Sequence, residues 1–172
     1  MALGVSLIVL ASGCALAQAA DERIYDAIYT VRPDPAARTA DVELAVGQSR
    51  HFLRELSMDA PAAQFSDFSG DGEISRSGST VSWTPPVAGG VLRWTAKVRH
   101  LRSGDSYDAW IDDDWALLRA SDVMPPARTR TLKGASSRTW LRFELPDGWS
   151  ALTQYRESGG RYRVSNEGRR FD

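Results

Sequence analysis

The chain has 172 residues, enough for one domain with its own core once any targeting segment is set aside. Its 21 Lys and Arg balance 22 Asp and Glu, which excludes the basic footprint of a nucleic-acid binder. Lys97 and Lys133 are the only lysines, and the arginines are scattered along the chain rather than gathered in one segment.

Residues 1–20 stand apart. They hold no charged side chain, run through Leu3, Val5, Leu7, Ile8, Val9 and Leu10, and end in A-x-A steps at Ala15-Leu16-Ala17 and Ala17-Gln18-Ala19. An apolar run followed by small residues is the pattern of a secretory signal peptide. A membrane span is the competing reading, but the segment barely reaches the ~20 residues a span needs and is diluted by Gly, Ser, Cys and Gln. Cys14, the only cysteine, lies in Leu10-Ala11-Ser12-Gly13-Cys14. That run resembles a lipoprotein signal box, except that Ala11 stands where the box has Leu, Val or Ile. The domain at 21–172 is therefore expected in the periplasm or secreted. Lipid anchoring at Cys14 is the alternative, and it is the one route by which a membrane becomes a partner.

From Asp21 on, the periodicity is that of strands. Tyr25, Ala27, Tyr29 and Val31 alternate with Asp26, Ile28 and Thr30 until Pro33-Asp34-Pro35. Ala40, Val42, Leu44 and Val46 alternate with Asp41, Glu43 and Ala45, so the two runs are expected to pair antiparallel. Phe52 to Met58 fits a helical turn and a strand about equally, and its neighbours favour the strand. Asp67 to Gly72 is polar and glycine-rich. Glu73–Arg76 and Ser79–Trp83 are short strand candidates around Ser77-Gly78, and Pro85-Pro86 with Gly89-Gly90 marks a turn. Val91 to Leu101 is the clearest strand, with Leu92, Trp94, Ala96 and Val98 on one face. Tyr107–Ile111 and Trp115–Arg119 flank Asp112-Asp113-Asp114. Trp140–Leu145 alternates into the Pro146-Asp147-Gly148 turn, and Tyr162 and Val164 close the set. Short strands, frequent turn signals and no long amphipathic helix point to an all-β fold, an antiparallel β-sandwich. The stretch 158–172 is Gly/Arg-rich and reads as a tail or linker.

Few residues could carry chemistry. His51 and His100 are the only histidines, far apart and each near an arginine. A zinc hydrolase needs two or three ligands at fixed spacing, such as H-E-x-x-H. A Ser–His–Asp arrangement would need a nucleophile elbow, and no G-x-S-x-G is present. Asp67 to Ser75 matches the first half of a calcium loop, but position 12, which supplies the bidentate carboxylate, is Gly78, so a Gly-rich turn is the expectation. Asp112-Asp113-Asp114 reads as a solvated hairpin tip. Of the six tryptophans, Trp94 and Trp140 sit within alternating strands and are expected in the core; Trp149, after a turn, is the best candidate for a rim. No catalytic, metal or cofactor-binding residue is assigned and no cofactor is expected; Cys14 is the one modification candidate.

Several phrases in order resemble a known family. They are Phe65-Ser66-Asp67-Phe68-Ser69-Gly70-Asp71-Gly72, Val81-Ser82-Trp83-Thr84-Pro85-Pro86, Gly89-Gly90-Val91-Leu92-Arg93-Trp94, Tyr107-Asp108-Ala109, Trp115-Ala116-Leu117-Leu118-Arg119, Asp122-Val123-Met124-Pro125-Pro126 and Leu145-Pro146-Asp147-Gly148-Trp149-Ser150. Together they resemble the amino-terminal β-sandwich of the glycyl-aminopeptidase-type zinc metallopeptidases, over most of 23–172. In that family the sandwich precedes a helical catalytic domain with H-E-x-x-H and a downstream glutamate, and the activity is release of amino-terminal residues. None of those catalytic residues has a counterpart here. The resemblance implies a non-catalytic scaffold whose partner is an absent catalytic domain or another protein; independently of it, Trp149 and Tyr155, aromatics near turns, are the candidates for the edge of the docking surface. The alternative is a stand-alone periplasmic module that holds a peptide or glycan on exposed aromatics.

The chain from Asp21 on is expected to bind no stoichiometric zinc and to melt at the same temperature with and without millimolar calcium. Metal analysis and paired thermal scans check this. One tightly held zinc per chain, or a calcium-dependent rise in Tm that Asp71→Ala abolishes, would contradict it.

Overall fold

The computed structural model describes residues 23–98, 100–103 and 106–164, with the side chains of 100–103 and 106–108 left aside. Strand β1 (Ile24–Asp34) turns at Pro35–Arg38 into β2 (Thr39–Gly47), and the two pair antiparallel from Asp26↔Gly47 to Asp34↔Thr39. Next come β3 (Leu53–Asp59), β4 (Phe65–Gly70), β5 (Glu73–Ser77), β6 (Thr80–Thr84) and β7 (Gly89–Lys97). The hairpin β8 (His100–Ser103) and β9 (Ser106–Ile111) follows, then the two-residue β10 (Ala116–Leu117) and the one-turn helix α1 (Ala120–Val123). The chain ends in β11 (Ala127–Thr131), β12 (Ser136–Phe143), β13 (Arg156–Ser158) and β14 (Arg161–Val164).

These strands form a seven-stranded sheet in the order β13-β14-β12-β1-β2-β7-β4, a four-stranded sheet β11-β3-β6-β5 and a small sheet β10-β9-β8. The fold is an all-β sandwich. One pairing departs from the antiparallel expectation: β12 returns to lie parallel to β1, Ile24↔Ser136 through Val31↔Phe143. A parallel neighbour needs a long connection, and everything from β2 to β11 lies between these two strands. Ser158 to Val164, expected within a tail or linker, forms the end of β13 and all of β14, which pairs with β12.

The core follows the alternation. Tyr25, Ala27 and Val31 of β1, Ala40, Val42, Leu44 and Val46 of β2, and Leu92, Trp94 and Ala96 of β7 are buried, as are Leu53, Leu56, Met58, Val81 and Trp83 from the four-stranded sheet. The ambiguity of Phe52 to Met58 has a physical source. Glu55 pairs with Arg130 and Leu53 with Thr131, so Arg54 is an extra, exposed residue, a β-bulge that shifts the phase of the apolar positions by one.

Two tryptophans dominate the interior, Trp83 at 0% and Trp94 at 2% exposure. A buried indole needs an acceptor for its N–H. Trp83 Nε1 donates to the Asp71 carbonyl at 2.6 Å and Trp94 Nε1 to the Val123 carbonyl at 2.8 Å. Both acceptors lie outside regular pairing: Asp71 at the corner between β4 and β5, Val123 in α1. Ser66 pairs with Thr95 and Ser69 with Arg93, so Asp67 and Phe68 together oppose Trp94. This bulge, with Asp67 at φ 57°, lets Phe68 stack on the Trp94 ring at 5.9 Å, while Tyr29 meets the ring edge-on at 6.4 Å. Gly72 completes the corner at φ 82°, where a Cβ would stand 2.3 Å from the Thr84 carbonyl oxygen. Trp140 departs from its expected place. Its neighbour Leu141 is buried, while Trp140 takes the outer face of the sheet beneath Arg161 and Arg163, whose Cζ atoms lie 4.7 and 5.2 Å from its ring centre.

Trp94→Phe should destabilise the fold by about 2–3 kcal/mol, from an orphaned Val123 carbonyl and a small cavity, and equilibrium denaturation measures it. Burial pushes the Tyr29 hydroxyl from its ordinary 10.0 up to about 12. A folded-state value above the unfolded one means that this stabilisation is complete below pH 10 and is lost as pH rises toward 12, by roughly 2–3 kcal/mol. Urea melts across that range should show the loss in the native protein and a smaller one in Tyr29→Phe.

Candidate functional site

The two main sheets are unequal, and the four-stranded one cannot cover all seven strands of its partner. At the end where the parallel strands β1 and β12 finish, the inner face stays open. A cleft of 860 Å³ forms there, with Val31, Leu141 and Phe143 on its floor. One wall is Ala116 to Met124 and the other Leu145 to Tyr155. The first wall is fixed by α1. Asp122, only 3% exposed, accepts from the backbone N–H and guanidinium of Arg119, Gln64 Nε2 donates to its carbonyl at 3.2 Å, and Trp94 holds Val123. The second wall starts with the turn Pro146 to Trp149, closed by the Trp149 N–H on the Pro146 carbonyl at 3.1 Å, with Gly148 at φ 81°.

The floor is held by the strand ends. The Glu144 N–H donates to the Val31 carbonyl at 3.0 Å, and the Arg32 guanidinium donates to the Glu144 carboxylate, holding that carboxyl below its usual range. The lining is mostly apolar; its polar members are Arg119, Ser121, Ser150, Thr153 and Gln154. At the mouth Leu117 is 70% and Leu152 fully exposed, and Trp115, just before the first wall, is 51% exposed. Large apolar side chains thus stand in water beside an apolar hollow. The cleft brings together apolar side chains and hydroxyls, which is chemistry for holding a ligand or a partner.

Trp149 and Tyr155 both line this cleft, half-buried. Trp115, Leu117 and Leu152 carry no sequence signal that marks them as surface residues, because alternation alone cannot say which side of a short strand or loop is left uncovered.

The other candidates lie elsewhere. His51 sits in the turn between β2 and β3, half-buried, its Nε2 buried without a hydrogen-bond partner. The side chain of His100 and all of Cys14 lie outside the described residues, as do 1–22 and 165–172. The calcium-like run is dispersed over a strand, a corner and another strand. Asp71 Oδ2 accepts from the Val91 N–H at 2.9 Å, Asp67 Oδ2 accepts from the Ser66 hydroxyl, and Gly78 forms the β5–β6 turn. The Asp71 carboxylate thus joins the corner to β7. Asp112-Asp113-Asp114 is an exposed hairpin tip, closed by the Asp112 N–H on the Trp115 carbonyl at 2.9 Å. Among the described residues, no group of three or more His, Cys, Asp and Glu side chains is placed to hold a metal ion, and no helix is long and apolar enough to cross a membrane.

Comparison with known proteins finds no family model that matches the chain and no curated protein that matches it in sequence.

Proposed function

We propose that this chain is the non-catalytic scaffold domain of an exported zinc aminopeptidase-like protein, and that its apolar cleft seats the catalytic domain. The observation that carries this is the cleft itself, an open apolar hollow flanked by exposed Leu117 and Leu152. Three of the phrases that resemble the metallopeptidase sandwich contribute to its walls: Trp115 to Arg119, Asp122 to Pro126 and Leu145 to Ser150. In this reading the occupant presents apolar side chains with basic residues beside them, because the acidic tip Asp112 to Asp114 runs directly into the first wall. The chain supplies a rigid seat and no reacting group; catalysis belongs to the partner.

The size of the cleft favours a second reading. At 860 Å³ it falls within the range of ligand pockets, as a stand-alone peptide- or glycan-binding module would require. Sedimentation over a concentration series separates the two. A seat without its occupant should self-associate, and Leu117→Asp with Leu152→Asp should restore a monomer without lowering stability, since both side chains are already in water. A strictly monomeric native domain at high concentration would contradict the scaffold reading and move weight to the module.

A further inference from the structure

The outer face of the seven-stranded sheet carries a second feature, independent of the cleft. On β14, Arg161 and Arg163 alternate with Tyr162, so both guanidinium groups project to the same side, over Trp140 of β12. On β13, Arg156 pairs with Arg163 directly across the ladder. Arg138, on the same face of β12, is already spoken for: it donates through Nε and Nη2 to the two carboxylate oxygens of Asp26. Glu157 pairs with Tyr162 and so belongs to the opposite face. Among the described residues, Arg156, Arg161 and Arg163 have no carboxylate partner.

This arrangement works against folding. Like charges directly opposite in a ladder repel, and Arg156 and Arg163 occupy such a pair. Asp26 offsets part of this repulsion: its carboxyl is held below its ordinary range chiefly by the hydrogen bonds from Arg138 and further by the charges of Arg138, Arg161 and Arg163. Stacking on an indole fixes the position of a guanidinium while leaving its N–H groups free to donate at its edges. Two arginines fixed on one ring, with a third facing them across the ladder, give a ready set of convergent donors. A group with several oxygens and more than one negative charge matches it better than a single carboxylate.

We propose that Arg161 and Arg163, held on Trp140, together with Arg156 across the ladder, form a binding site for clustered phosphate groups, either on a lipid headgroup surface or on a soluble polyphosphate. The site lies on the opposite face of the sheet from the cleft, so it operates whether or not the cleft seats a catalytic domain. The same charges would also be explained if they only discourage edge-to-edge pairing of β13, and that is an outcome of the test.

The test titrates the full chain with two probes: inositol hexakisphosphate by calorimetry, and phosphatidylcholine vesicles with and without phosphatidylglycerol by co-sedimentation. At least one phosphate-bearing probe is expected to bind, more weakly as salt rises. The triple variant Arg156→Gln, Arg161→Gln, Arg163→Gln should lose at least tenfold in affinity, while Arg93→Gln, whose arginine is paired with Glu43, should bind as the native chain does. Binding to phosphatidylglycerol vesicles alone assigns a lipid surface, and binding to the soluble probe alone assigns a free polyphosphate. Arg163→Gln by itself removes the repulsive pair together with one stack on Trp140, so its thermal melt is measured beside the titration, and weakened binding at an unchanged Tm is not a folding defect. If neither probe binds, or the triple variant binds as well as the native chain, the proposal fails and edge protection remains.

Discussion

Two indole N–H groups, buried in the centre of the sandwich, constrain everything around them. Each must find an acceptor, and strand carbonyls are already used in the ladders. Trp83 takes the Asp71 carbonyl at the corner where the chain passes from the seven-stranded sheet to the four-stranded one, and Trp94 takes the Val123 carbonyl in α1. The Trp83 bond thus ties the two main sheets together through their shared corner, and the Trp94 bond ties the seven-stranded sheet to α1. The same two bonds fix the corner that the Asp71 carboxylate extends to β7 and the segment that forms one wall of the cleft. The rigidity of the candidate site therefore derives from the core beneath it.

A second constraint is the mismatch in sheet size. Returning β12 alongside β1 adds three strands to one side of the larger sheet without adding strands to the other. The inner face of this extension is partly covered by Trp149, Tyr155 and Tyr162, and what remains uncovered is the cleft. The outer face of the same extension carries the arginine cluster. Both the cleft and the arginine cluster thus arise from one topological step, the parallel return of β12.

Much of this was legible in the residues. The inward sets of β1, β2 and β7 are those that the alternation marks, because each strand has one face on the core and one in water. Trp149 and Tyr155, aromatics near turns, line the cleft. The rest was hidden for physical reasons. The bulge at Arg54 shifts the phase of β3 and makes it look half helical. The bulge at Asp67 and Phe68 turns a polar, glycine-rich run into an edge strand. Trp140 sits on an alternating strand whose outer face is covered by arginine side chains rather than by another sheet, so period two fixed its alternation without saying which face was inward. The parallel partnership of β1 and β12 has no local signal, since their contact spans the chain. Nor does the one-turn helix, which depends on a tryptophan 29 residues away.

The central claim is that the cleft is a seat for a folded partner. Its most direct test is hydrogen–deuterium exchange of this chain alone and together with the catalytic domain of a glycyl-aminopeptidase-type zinc metallopeptidase added in trans. The account predicts that the added domain slows exchange in 116–124 and 145–155, with little change in the core strands. No protection, or protection that appears elsewhere and leaves both walls of the cleft exchanging as before, would contradict it.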